Sequence, residues 1–182
     1  MHEPRELLQL GTGLFGARLA SVADSQWTAP TPCAEWNVLD LVNHVVMGNR
    51  MAISLLDGSA PAPQEPTTSE DAVRAFERTT VRQDRAFRSS PGEQAVAHPA
   101  GVIPASDFAV FRCADVAVHA WDLARAIGAD DDLGPVLVAQ ALQPYVEWVD
   151  SLDTEGMYAP AKHVDTDAPH QNRLLARIGR TP

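Results

Sequence analysis

Lysine is nearly missing from this chain. Lys162 is the single lysine among fourteen basic residues, and the rest are arginine. Lys162 lies in a polar stretch where nothing would depress its pKa, so Schiff-base chemistry is set aside. Alanine and proline are plentiful, and with the arginine bias they read as the codon usage of a G+C-rich genome. Cysteine is almost as scarce. Cys33 and Cys113 are too few for a secreted disulfide scaffold and permit at most one bridge. Positive charge is in deficit, with a formal net charge of −10. A basic face for nucleic acid is therefore not expected. No apolar run approaches the roughly 20 residues that span a bilayer. The opening residues, Met1 to Glu6, lack the basic and apolar regions of a signal peptide. Glycine-rich phosphate loops, GxSxG elbows and CxxC pairs are also missing. The expectation is a cytoplasmic domain with neither membrane nor nucleic-acid partners. Its 182 residues fit one domain, 1–182, long enough to bury a core.

Helical periodicity dominates what is present, and strand alternation is weak. A first helix is expected from about Glu3 to Ala23, with Pro4 in its first turn. Leu7, Leu10, Leu14, Ala17 and Val22 fall near one face, widened by Leu8, Phe15 and Leu19. Gly11, Gly13 and Gly16 weaken that helix but admit a close neighbour. Asn37 caps a second helix, with Asp40 completing a capping box and Trp36 and Leu41 forming a staple. It runs through His44 and Gly48 to about Leu56, where Asp57-Gly58 stops it. Pro61, Pro63 and Pro66 mark a loop. Ser69 begins a third helix, with Val73, Phe76, Thr80, Gln83 and Phe87 inward. Residues 89–104 read as irregular. A fourth helix spans Phe108–Ile127, capped by Ser106 or Asp107 and closed by Gly128. A fifth runs from Gly134-Pro135 to about Val149. Residues 150–182 read as a tail with one short helix over Asn172–Ile178. The class is all-α: a bundle of four substantial helices with long crossovers, an extra helix and a C-terminal tail. Exposed apolar helix faces are compatible with a homodimer.

The chemistry concentrates on the fourth helix. Asp115 and His119 stand four residues apart, on one face and one turn from each other. A carboxylate and an imidazole so placed can ligate one divalent metal, and His44 on the inward stripe of the second helix supplies a third ligand. The same pair also reads as a plain helix-stabilising contact, with the histidines as hydrogen-bonded core residues. His98, His163 and His170 fall in irregular, solvated segments, although a folded-back tail would bring His163 or His170 to the site. Asp122 and Arg125 are spaced to pair with each other. Cys33 reads as a buried structural cysteine. Cys113 points away from Asp115. Arg82 and Arg85 read as a solvated face or as binders of a carboxylate.

Two segments carry a resemblance. Residues 31–49 read TPCAEWNVLDLVNHVVMGN, and residues 115–128 read DVAVHAWDLARAIG. The tail from Asp167 through APHQNRLLARIGR fits a closing D-x-x-x-x-R-L-L-A-x-x-G-R stretch. Together they resemble the DinB-like metal-binding family, which includes the N-terminal domain of mycothiol-dependent maleylpyruvate isomerase. The resemblance implies a four-helix bundle in up-down-down-up order. It implies a divalent metal, usually zinc, held by His44, Asp115 and His119. Asp115 stands where the isomerase has Glu, one methylene longer. It further implies mycothiol or another low-molecular-weight thiol as co-substrate and a small electrophile as substrate, in S-transfer or isomerisation. A non-catalytic metal-binding or interaction domain and a metal-dependent hydrolase are the alternatives.

Overall fold

Nine consecutive residues, Val116 to Ala124, are buried in the longest helix of the protein. That helix is α4 (Ala105–Ile127). A helix enclosed on all sides belongs at the centre of a bundle. The computed structural model describes residues 1–60, 66–99, 101–151 and 159–182. Around α4 stand α1 (Pro4–Leu19), α2 (Val38–Asp57) and α3 (Ser69–Ser89). A later rod is built of α5 (Gly134–Leu137), a π-type turn (Val138–Leu142) and α6 (Gln143–Ser151). The last element is α7 (His170–Arg177). The expected helical bundle with an extra helix is thus present. The proline-rich loop lies largely outside the described residues, as does part of the tail.

Local signals hold where they were read. Asn37 caps α2, accepting from the Asp40 backbone N–H, and Asp40 returns the bond to the Asn37 N–H. Gly58 and Gly128 close α2 and α4 in the left-handed region, at φ 70° and 71°, where a β-carbon would be strained.

Three expectations are corrected. The first helix ends at Leu19, and its buried face is Leu7, Leu8, Gly11, Thr12, Phe15, Arg18 and Leu19. Leu10 is 45% exposed, because the face turns toward α4 through the small residues Gly11 and Thr12. Residues 89–104 are not wholly irregular. β1 (Ala95–His98) pairs antiparallel with β2 (Gly101–Pro104). Val96 alone among these residues is fully buried, so no alternating pattern is long enough to read. Finally, α4 starts three residues early and has no side-chain cap. Its first N–H groups reach back instead: Ala105 donates to the Gln94 carbonyl at 2.9 Å and Ser106 to the Gly92 carbonyl at 2.9 Å.

The contact of α1 with α4 is close at Gly11. A β-carbon there would stand 3.1 Å from Cys113 Sγ and 3.3 Å from its carbonyl oxygen. Cys113 Sγ donates to the Leu7 carbonyl at 3.0 Å. Burial pushes its thiol up to about 12. Both cysteines are free, and Cys33 is partly exposed. Iodoacetamide at pH 8 is expected to add one carbamidomethyl group, at Cys33, to the native protein and two in urea. Peptide mass spectrometry reads the result, and rapid labelling of native Cys113 would contradict the packing.

Residues 159–169 lead into α7, which begins at His170, two residues ahead of its expected start. Leu174, Leu175 and Ala176 bury into the core, and the Lys162 N–H donates to the Ala176 carbonyl at 2.8 Å. The tail is thereby docked, and Arg180 is brought against α4.

Candidate metal centre

α2 supplies His44, and α4 supplies Asp115 and His119 from one face. The fold gathers all three, with one potential ligand atom from each within 4.8 Å of the others. His119 Nε2 lies 3.4 Å from Asp115 Oδ1, and His44 Nε2 lies 3.8 Å from the same oxygen. The two imidazoles meet edge to face, with centroids 4.7 Å apart. Trp36, just ahead of α2, packs on both rings at 4.8 and 5.9 Å.

Each ligand candidate is held from behind. His119 Nδ1 donates to Asp122 Oδ2 at 3.0 Å, which leaves Nε2 turned toward Asp115. A carboxylate that takes the far N–H fixes the tautomer and orientation of a metal-ligating histidine. Asp122 is fully buried and is gripped by Arg180 through Nε to Oδ1 at 2.9 Å and Nη2 to Oδ2 at 2.8 Å. Cys33 Sγ also donates to Asp122 Oδ2, at 3.2 Å. On the other side Arg112, 3% exposed, is ion-paired to Asp115 Oδ2. It also donates to the Val45 carbonyl and Asn49 Oδ1, each at 2.8 Å, and to Gln83 Oε1 at 3.2 Å.

These contacts set the charges. Burial works to raise the Asp115 pKa. The Arg112 charge, with hydrogen bonds from His119 and His44, outweighs it and holds the carboxyl well below its usual range. Burial likewise opposes charge on His119, but bonds to Asp115, Asp122 and Cys33 raise its pKa well above the ordinary value. Asp122 sits at about 2, with His119 and Arg180 overcoming its desolvation.

Gly48 makes the Arg112 position available. A β-carbon there would fall 2.8 Å from the guanidinium carbon. Gly48→Ala is expected to push Arg112 off α2 and destabilise the protein by about 1–3 kcal/mol, the usual range for overpacking. Urea denaturation checks this. An unchanged midpoint would show that the guanidinium can yield.

A second group, Cys33, His119 and Asp122, also has ligand atoms within 4.8 Å. Its carboxylate oxygens are already bonded to Arg180, so a cation there would have to displace a guanidinium. The donors of the first group face one another, and they fit a divalent ion better.

Several readings from sequence change here. Asp122 does not pair with Arg125, because Asp122 points inward while Arg125 reaches Asp131 at 3.3 Å. Cys33 is not a buried structural residue but part of the Asp122 cluster. His98 lies on β1, half-buried against Phe108 and Trp148. His163 is exposed, and His170 is bonded to Gln143, so neither joins the group. Arg82 and Arg85 are solvent-exposed on α3. Arg112 and Arg180 were missed. Arg112 stands three residues before Asp115 on one helical face, and Arg180 ends the quoted tail motif; both signals were present.

Two cavities flank the centre. One, of about 170 Å³, has His44, Asp115 and Arg112 in its wall and is otherwise mostly aromatic. The other, of about 710 Å³, reaches His119 and is bordered by Trp36, Cys33, Lys162 and Arg180.

The architecture and this cluster define a DinB-like helical bundle with an imidazole–carboxylate–imidazole group between two of its helices. Residues 8–124 match the sequence profile of the mycothiol maleylpyruvate isomerase N-terminal domain. The chain belongs to that family. Two uncharacterized proteins of Mycobacterium tuberculosis, from two strains, are each 32% identical to it, covering 98% of this chain and 98% of their own. The fold is similar to that of mycothiol-dependent maleylpyruvate isomerase, with a TM-score of 0.66 and 22% identity. A histidine-to-alanine mutant of the same enzyme gives a TM-score of 0.67 and 20% identity. Each alignment covers 85% of this chain and 73% of the other. Among the described residues, no helix is long and apolar enough to cross a membrane.

Proposed function

We propose that this protein is a divalent-metal enzyme with a thiol-dependent, isomerase-like activity on a small electrophile. His44, Asp115 and His119 are the proposed ligands, with zinc the first choice for N and O donors. The two-sided setting of His119 carries the reading: Nδ1 is committed to a buried carboxylate while Nε2 faces Asp115. Family membership supports the thiol, since the structurally similar isomerase is mycothiol-dependent. A metal held by these side chains would favour the thiolate form of a thiol bound beside it.

The chain's own residues have distinct tasks in this scheme. Arg112 keeps Asp115 ionised. Asp122 holds the His119 proton on Nδ1 and the ring in place. Trp36 packs on both imidazoles and helps to fix their orientation. Lys162 and Arg180 border the larger cavity, where the thiol would bind. Thiol addition forms a sulfur–carbon bond as the carbon–carbon π bond opens. Rotation and elimination then break the sulfur–carbon bond and re-form the π bond in the other geometry, releasing the isomer and the thiol, so isomerisation consumes no thiol.

The test is metal analysis by mass spectrometry on untagged protein purified without chelators. About one equivalent of zinc or another divalent ion is expected, lost in His44→Ala and in His119→Ala. Absence of metal, with no uptake when zinc is added, would sink the reading.

A pH dependence follows from the raised His119 pKa. The metal-free protein carries a proton on His119 that must leave before Nε2 can bind a cation. Zinc uptake is expected to release protons near neutrality and to weaken as pH falls. Calorimetric titration in two buffers of different ionisation enthalpy measures the proton count. Equal heats in both buffers would contradict it.

A further inference from the structure

The smaller cavity carries a histidine that the proposed function leaves unused. His98, on β1, lies in its wall together with His44 and Asp115. The imidazole is half-buried, with ring centroids 5.5 Å from Phe108 and 6.2 Å from Trp148. The hairpin brings it there: β1 pairs with β2, and β2 runs directly into α4, which bears Asp115 and His119. The cavity volume, about 170 Å³, is close to that of an apolar cavity of roughly 150 Å³ that accepts benzene. A molecule of that size fills the space, so it touches His98 and the proposed metal ligands at once.

The two cavities share a wall. His44 and Asp115 line both of them. An ion held there is reached from two sides, by the thiol from the larger cavity and by a compact electrophile from the smaller. A carbon–carbon double bond accepts a thiolate when it is conjugated to an electron-withdrawing group such as a carbonyl. As sulfur bonds to carbon, the π electrons move onto the carbonyl oxygen. A donor already aimed at that oxygen stabilises the charge that develops on it.

His98 has the form this task needs. Burial lowers its pKa below the ordinary value, and the Asp115 charge opposes this only in part. A proton or a divalent cation on Asp115 would remove that opposition, so the ring is neutral at pH 7 in every case. A neutral imidazole carries one N–H. Its two nitrogens are distinct, and a bond at one leaves the other for a ligand.

We infer that His98 is a further catalytic residue, which donates an N–H from the wall of the aromatic cavity to the carbonyl oxygen of the bound electrophile. No proton is transferred. The hydrogen bond strengthens as the enolate forms and relaxes when sulfur leaves. This assignment rests on the proposed function and adds to it the residue that holds the electrophile's oxygen. The substrate is then a compact unsaturated carbonyl compound.

Cyclohexanone and methylenecyclohexane test it, since they share a ring and a shape and differ in one exocyclic atom, oxygen against carbon. Ligand-observed NMR gives their affinities, with and without one equivalent of zinc. His98→Phe keeps a ring in the wall and removes the donor. In both states it should weaken cyclohexanone by about three- to tenfold, the effect of one neutral hydrogen bond, and change methylenecyclohexane by less than about twofold. His98→Gln restores an N–H and should recover part of the loss. If His98→Phe does not fold, the ring nitrogen signals of wild-type His98 decide: cyclohexanone should shift the N–H nitrogen and methylenecyclohexane should not. Equal losses for the two probes, equal shifts, or no saturable cyclohexanone binding would overturn the assignment. Zinc is counted in the same samples, and His98→Phe should keep the wild-type stoichiometry. If zinc binds and the two probes respond alike, the His98 assignment falls and the metal reading stands. If the probes differ as expected and no zinc is taken up, the metal reading falls and takes the catalytic role of His98 with it.

Discussion

Asp122→Ala is expected to lower stability by about 3–5 kcal/mol, the range for removing one partner of a buried ion pair. Asp122 is fully buried and Arg180 is 13% exposed in its side chain. The substitution takes the two carboxylate acceptors from the guanidinium, which keeps the Ile178 carbonyl, and it takes the Nδ1 acceptor from His119 and the thiol acceptor from Cys33. Metal affinity should fall 10–100-fold, as when an outer partner of a ligating histidine is lost. Urea denaturation and competition with a zinc indicator measure the two effects. Asp122→Asn, which keeps the shape, should lose less stability than the alanine variant. A normal zinc affinity in both variants would show that His119 needs no support. The pH dependence has a definite sign. Asp122 is depressed from 3.8 to about 2 in the folded state. Its contribution is present above the unfolded value and disappears as pH falls from about 4 through about 2. Wild type and Asp122→Ala should therefore converge in stability at the acid end of that window.

Arg112→Leu should cost a similar amount, about 3–5 kcal/mol, but through a different set of groups. It strands Asn49 Oδ1 and Gln83 Oε1, removes a second donor from the Val45 carbonyl inside α2, and takes from Asp115 the positive charge that outweighs burial. The Asp115 pKa should rise toward or above its usual range. Proton competition for the metal should then begin at higher pH than in the wild type. Arg112→Lys should not rescue the protein, because an ammonium cannot present the planar fork that reaches α2, α3 and Asp115 together. Denaturation curves and zinc binding as a function of pH check both statements. Full rescue by lysine would mean that charge alone matters at this position.

What was legible in the sequence was what a few neighbouring residues decide. Asn37 and Asp40 cap each other within one turn, and Gly58 and Gly128 end helices by their own φ angles. Asp115 and His119 share a face by helical spacing alone. The buried face of α1 was misjudged because Gly11, Thr12 and Arg18, none of them strongly apolar, are covered by other elements. The start of α4 was misplaced because its cap is the backbone of Gly92 and Gln94, and a carbonyl leaves no trace in residue type. Arg112 and Arg180 were overlooked for a related reason. An arginine reads as surface until its burial is known: Asp115 lies only three residues from Arg112, but Asn49 and Asp122, which hold the two guanidiniums inside the protein, lie 63 and 58 residues away.

The docked tail has a consequence for how the protein is made. Arg180 is synthesised 58 residues after Asp122, which at typical elongation rates of 5–20 residues per second is a delay of about 3–12 s. For that interval the nascent chain holds a carboxylate destined for burial without its counter-cation. The neighbourhood of His119 is thus among the last parts of the molecule to mature. A nascent chain arrested before Arg180 would carry most of the bundle with an unfinished site.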